Sequence, residues 1–114
     1  MITVVAFAAA AAVGALARAE AGRRWNHHDG LAVGTIVVNV TGSFLLGLLS
    51  ELTPPALTIL GVGGLGAYTT FSSFARDAVA LTEQDRLWLA ALYVAVSCAL
   101  GIGAAAGGVA IAGG

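Results

Sequence analysis

Lysine is absent from this chain of 114 residues, and all five of its basic side chains are arginine. Charged residues make up only 10% of it and leave a net charge of -1, which gives no ground for nucleic acid as a partner. The single cysteine, Cys98, excludes an intrachain disulfide and reads as a small thiol packed in an apolar helix. No Cys–His pair falls on compatible elements, no pair of carboxylates falls within a span, and no phosphate-cradling loop is followed by lysine, so no enzyme class is indicated. The long apolar spans also lack an internal acid. A proton-coupled exporter normally needs a titratable group near the midplane, so passive conduction is favoured over coupled transport.

Hydrophobic side chains are abundant instead, at 59% of the chain, more than one soluble core of this size could absorb. Uncharged runs cover Met1–Ala17, Gly30–Ser50, Leu52–Ala75 and Leu87–Gly114. Each is about the ~20 helical residues that cross a bilayer. The first run has no basic start, so it is expected to be a helix and not a signal peptide. The expectation is an all-α membrane protein with a single domain over 1–114 and helices over about 2–18, 31–52, 54–81 and 86–110.

The run Gly61–Phe74 organises the rest. Gly61, Gly63, Gly64 and Gly66 are followed by Thr69, Thr70, Ser72 and Ser73, with Phe71 and Phe74 three apart. Glycine-rich, hydroxyl-rich backbone is poor continuous helix, so the third helix is expected to break near its centre, at 66–70. Broken backbone survives inside a bilayer only where protein or a water-filled cavity covers it, which marks a candidate ion or substrate site. Glycines alone would serve close helix packing equally well; the hydroxyls and paired phenylalanines favour a site.

The remaining features fit around that run. Arg18, four residues after Gly14, either snorkels to the headgroups or lines an aqueous entrance that concentrates anions. The connection Ala19–Asp29 holds Trp25, which suits the membrane interface, as Trp88 does later. His27, His28 and Asp29 could bind a metal, but adjacent helical residues do not share a face and no further His or Cys completes a set. Thr35, Asn39 and Ser43 repeat at four and form one polar stripe, with Gly34, Gly42 and Gly47 on adjoining faces. The stripe is either interhelical glue or, through the two donors of the Asn39 amide, a substitute for an anion's water. Thr53 is expected to cap the third helix, which Pro54 and Pro55 open. Thr82-Glu83-Gln84-Asp85 has capping-box spacing and is expected to start the fourth. Tyr93, Ser97 and Gly101 make a second, weaker stripe, and the glycine–alanine tail beyond is expected to fray.

Three separated pieces then resemble one family, the small four-helix fluoride channels of microbes of the Fluc or CrcB type. They are Gly14-Ala15-Leu16-Ala17-Arg18, then Gly34-Thr35-Ile36-Val37-Val38-Asn39 with Gly42-Ser43-Phe44, then Gly66-Ala67-Tyr68-Thr69-Thr70-Phe71-Ser72-Ser73-Phe74. Their order and spacing match over nearly the whole chain. Ser73 stands where threonine is common, and Gly101 where the fourth helix often keeps a hydroxyl, which weakens the polar track at that level.

The resemblance implies a passive, fluoride-selective channel in the cell membrane that lowers fluoride toxicity, built as an antiparallel dimer with two pores. It implies that the backbone carbonyls of Gly66 and Thr69 hold a structural sodium ion at the dimer centre. Asn39, Phe71 and Phe74 would line the fluoride path, Thr70, Ser73, Tyr93 and Ser97 would form its polar track, and Arg18 would sit in the vestibule. A dual-topology exporter of the multidrug type is the runner-up, but it should carry a glutamate within the first helix, which this run lacks. A non-conducting assembly subunit has no need for both Asn39 and the hydroxyl-rich break. Arg18, Arg23, Arg24, Arg76 and Arg86 all fall on or near one side of four crossings, which predicts both termini outside the cytoplasm. That bias leaves two partners open, a second copy or a homologue of opposite orientation.

Overall fold

The computed structural model describes residues 1–26 and 31–114, and every named element among them is helical. The candidate metal group His27, His28 and Asp29 lies outside the described residues. In chain order the elements are α1 (Ile2–Trp25), α2 (Val33–Leu48) with a 3-10 turn over Leu49–Glu51, a π-wound segment (Leu57–Leu65), α3 (Gly66–Tyr68), α4 (Phe71–Glu83) and α5 (Leu87–Gly113).

Among the described residues, three helical stretches are long and apolar enough to cross a membrane. They are Ile2–Trp25, Val33–Glu51 and Leu87–Gly113, with mean hydropathies of 1.9, 1.8 and 2.0. Their outer faces carry large apolar side chains such as Val4, Val13, Leu16, Leu100 and Ile102, all exposed in the isolated chain. The molecule measures 48 × 31 × 19 Å. Its long dimension matches a bilayer with its headgroups, about 40–45 Å.

The packing differs between the two ends. Where the α1–α2 and α4–α5 connections lie, Ala32, Leu81, Leu89, Ala90 and Tyr93 form a small buried core. Toward the other end α2 and α5, the most extensively paired helices, meet backbone to backbone. A Cβ on Gly108 would overlap the Phe44 carbonyl, and one on Gly47 would overlap the Ala105 carbonyl. Gly14 likewise brings α1 onto the carbonyl of Gly64 in the π-wound segment. Without a water-driven hydrophobic term between helices, such close approach is how van der Waals packing holds a membrane bundle.

Several helix ends depart from the sequence expectations. The first helix was expected to end near residue 18, yet α1 continues to Trp25. Ala19 and Ala21 favour helix, and Glu20 pairs with Arg23 and Arg24 at 2.6 Å one turn on. Thr82 does not cap the last helix: it lies inside α4, with its hydroxyl on the Ala78 carbonyl at 3.1 Å. What ends α4 is a Schellman turn, with Arg86 N–H on the Leu81 carbonyl (3.0 Å) and Asp85 N–H on the Thr82 carbonyl (3.1 Å). Asp85 takes the left-handed conformation this requires, at φ 59°. The glycine–alanine tail does not fray; α5 runs to Gly113.

Candidate functional site

Between α3 and α4 the backbone leaves the helix for two residues, Thr69 (φ -77°, ψ 157°) and Thr70 (φ -151°, ψ 114°). Both are β-branched and suit extended backbone. Three helical hydrogen bonds are redirected there. The Thr70 N–H, which a continuous helix would give to Gly66, goes to Asn39 Oδ1 at 2.8 Å. The Ser73 N–H, which would go to Thr69, goes to Thr70 Oγ1 at 3.0 Å, so Thr70 caps α4. The Ala67 carbonyl receives Arg18 Nε–H at 3.2 Å. Asn39 also donates Nδ2–H to the Thr70 carbonyl at 3.1 Å and thus pairs with Thr70 as a second peptide group would. The carbonyls of Gly66 and Thr69 are left without the donors a helix would have provided.

Asn39, Ser43, Gly66, Thr69, Phe71 and Phe74 line one groove of about 590 Å³. Arg18 lies in a second concavity of about 320 Å³, with Ala67 and Ser72, on the far side of the same interruption. Gly66, Thr69, Thr70 and Phe71 border both.

The Phe71 and Phe74 rings are tilted 48° with centroids 6.0 Å apart, and Phe74 stacks on Tyr93 at 5.4 Å. Phe71 is 79% exposed, whereas Tyr93 is fully buried. Ser97 lies one turn beyond Tyr93, and its hydroxyl is buried with no hydrogen-bond partner among the described residues. Ser73 receives a long bond from the Arg76 guanidinium at 3.4 Å. Opposite Gly101, where the second stripe lacks a hydroxyl, Ser43 Oγ lies 3.9 Å from the point a Cβ would occupy.

Sequence reasoning missed Asp77. It lies just past the uncharged run, one turn after Phe74 on the same helix face, and that spacing is the signal that could have found it. Asp77 falls outside the uncharged run Leu52–Ala75 and outside the three helices long and apolar enough to cross a membrane. Asp77 Oδ2 receives the hydroxyls of Thr35 at 3.0 Å and Tyr93 at 3.2 Å, which ties α4 to α2 and α5. Asn26 was missed as well; its side chain bonds the backbone of Thr35 across the α1–α2 connection.

This arrangement can bind ions rather than transform substrates. It offers amide and hydroxyl donors, aromatic edges and carbonyls released from their helical donors, and no group of metal-ligating side chains occurs among the described residues. A family model described as CrcB-like protein, Camphor Resistance (CrcB), matches residues 5–109. A protein of Rhodospirillum centenum named Fluoride-specific ion channel FluC is 40% identical, over 97% of this chain and 95% of its own length. Fluoride-specific ion channel FluC 2 of Rhodococcus jostii is 38% identical over 91% and 93%. A FluC protein of Agrobacterium fabrum is 45% identical over 68% of each chain. This chain, a multi-pass integral membrane protein of a microbe, belongs to the CrcB-like family.

Proposed function

We propose that the protein is a fluoride-selective ion channel, not an enzyme, and that it lets fluoride leave the cell passively. The observation that carries this reading is the Thr69–Thr70 interruption, paired to Asn39 and followed by Phe71 and Phe74, in a chain whose relatives are named fluoride-specific channels. Fluoride is small and strongly hydrated, so its path must replace water with close donors. The Asn39 amide and the hydroxyls of Thr70, Ser73, Tyr93 and Ser97 are such donors. The rings of Phe71 and Phe74 present positive edges to an anion. Arg18 is a fixed positive charge beside the second concavity and draws anions toward it.

On this reading the π-wound segment, α3 and α4 form one crossing broken near its centre, the third of four. The groove lined by Asn39, Phe71 and Phe74 opens on the outside of a single chain, so the path is completed by a second, antiparallel subunit, either another copy or a homologue inserted the other way. The carbonyls of Gly66 and Thr69, deprived of their helical donors, suit a structural sodium ion at the dimer centre. That ion would neutralise backbone dipoles that the helix no longer satisfies.

Anion efflux from liposomes holding the purified protein tests the function. Fluoride is expected to leave far faster than chloride, and equal rates or no flux would end the reading. Exchange of sodium for a larger monovalent cation during purification is expected to lower the thermal midpoint of the dimer; an unchanged midpoint would remove the sodium.

A further inference from the structure

Both polar atoms of the Asn26 side chain face one residue of α2. Oδ1 accepts the Thr35 N–H at 3.0 Å, an orphan donor in the first turn, and Nδ2 faces Thr35 Oγ1 at 3.4 Å. Gly34 makes the room: a Cβ there would stand 2.8 Å from Asn26 Oδ1 and overlap the Ala21 carbonyl. Thr35 is buried at 5% exposure, and its hydroxyl donates to Asp77 Oδ2 at 3.0 Å, the oxygen that also receives the Tyr93 hydroxyl at 3.2 Å. A hydroxyl carries one proton, so Thr35 can give it to Asp77 only while its lone pairs face another donor or nothing. Asn26 is one donor the fold provides there, from the end of α1.

The geometry points to Asn26 as a positioning residue for fluoride passage. Its amide keeps the Thr35 proton turned to Asp77, so that the Tyr93 hydroxyl is free to exchange Asp77 for a passing fluoride. A half-buried carboxylate stripped of its donors is costly, and Tyr93 can release Asp77 only if Thr35 continues to hold it. The inference rests on the reading that Tyr93 lies on the fluoride path.

Two roles of Asn26, capping α2 and orienting Thr35, are separable by substitution. Asn26→Asp keeps an acceptor for the Thr35 N–H, and its negative charge suits a helix N-terminus. It cannot donate to Thr35 Oγ1 and instead draws the hydroxyl proton away from Asp77. Asn26→Ala loses both roles. The full-length chain in liposomes is compared with Asn26→Asp, Asn26→Ala, Thr35→Val, Tyr93→Phe and the Asn26→Asp/Thr35→Val pair, by fluoride efflux and thermal unfolding.

Asn26→Asp is expected to unfold at or above the parent midpoint while losing at least tenfold in flux, and the pair is expected to conduct no worse than Thr35→Val alone. Parent-like flux in Asn26→Asp beside an impaired Thr35→Val would overturn the inference and leave the channel standing. So would full additivity in the pair, or a midpoint that falls in Asn26→Asp as far as in Asn26→Ala. Parent-like flux in both Thr35→Val and Tyr93→Phe would instead take the Asp77 cluster off the path, and the role of Asn26 with it. Absence of fluoride flux from the parent would overturn the channel reading itself.

Discussion

Phe71 and Phe74 stand three residues apart on α4 in unlike surroundings. Phe71 is mostly exposed in the single chain, whereas Phe74 stacks on the buried Tyr93. Phe71→Ile and Phe74→Ile are each expected to cut fluoride flux strongly, because an aliphatic side chain has no positive edge. Phe74→Ile should lower stability more than Phe71→Ile, because it loses the ring pairs with both Phe71 and Tyr93, each about 0.5–1.5 kcal/mol, whereas Phe71→Ile loses one. Parallel flux and unfolding measurements check both parts, and equal stability losses would mean that the rings pack alike. Asn39→Asp keeps the acceptor for the Thr70 N–H but loses the donor to its carbonyl and faces an anion with a negative charge. It is expected to abolish flux in the same efflux assay. Ser43 stands where Gly101 leaves the second stripe short of a hydroxyl. Ser43→Ala should therefore lower flux several-fold and Gly101→Ser should restore it, as efflux from the single and double variants would show.

At the scale of elements, the ends of α4 hold it in place. Thr70 caps its start through the Ser73 N–H, and Thr70→Val is expected to cost about 1 kcal/mol by the usual magnitude of such caps. Asp85 closes its end at a positive φ, where glycine has no Cβ penalty, so Asp85→Gly should be stabilising by up to about 1 kcal/mol. Thermal unfolding reads both, and a destabilised Asp85→Gly would show that the Asp85 side chain holds the turn by a contact of its own. The long apolar runs were legible because hydrophobicity is summed over many residues, and Thr69–Phe74 was legible because glycine and hydroxyl preferences are local. The end of α1 was misplaced because an arginine at residue 18 looked like a boundary, whereas in the fold that arginine bonds Ala67, far along the chain. The Asp77 cluster draws on Thr35, Asp77 and Tyr93 from three different helices, and no local pattern announces such a meeting. Thr82 had the right spacing for a cap, but α4 overran it and ended on a turn made by Asp85.

For the whole molecule, the buried core joins Ala32, at the start of α2, to Leu81 and Leu89 at the α4–α5 turn, which puts both connections at one end. Arg23, Arg24 and Arg86 gather there, while Glu51 approaches Gly113 at the opposite end. By the arginine bias, both termini are expected outside the cytoplasm. After Cys98 is replaced, labelling of single cysteines placed in each connection of intact cells checks this; equal access from both faces at one position would show insertion both ways. The pairing of Asn39 with Thr70 has its own outcome at this scale. Turning the amide over would set N–H against N–H and oxygen against oxygen, so its orientation is locked at two points. One hydrogen bond is committed at each end, and the second Nδ2–H is the donor Asn39 has left to offer to the groove it lines. The backbone of one threonine thereby fixes which way the Asn39 amide faces, and leaves one of its N–H groups toward the groove for an anion on the proposed path.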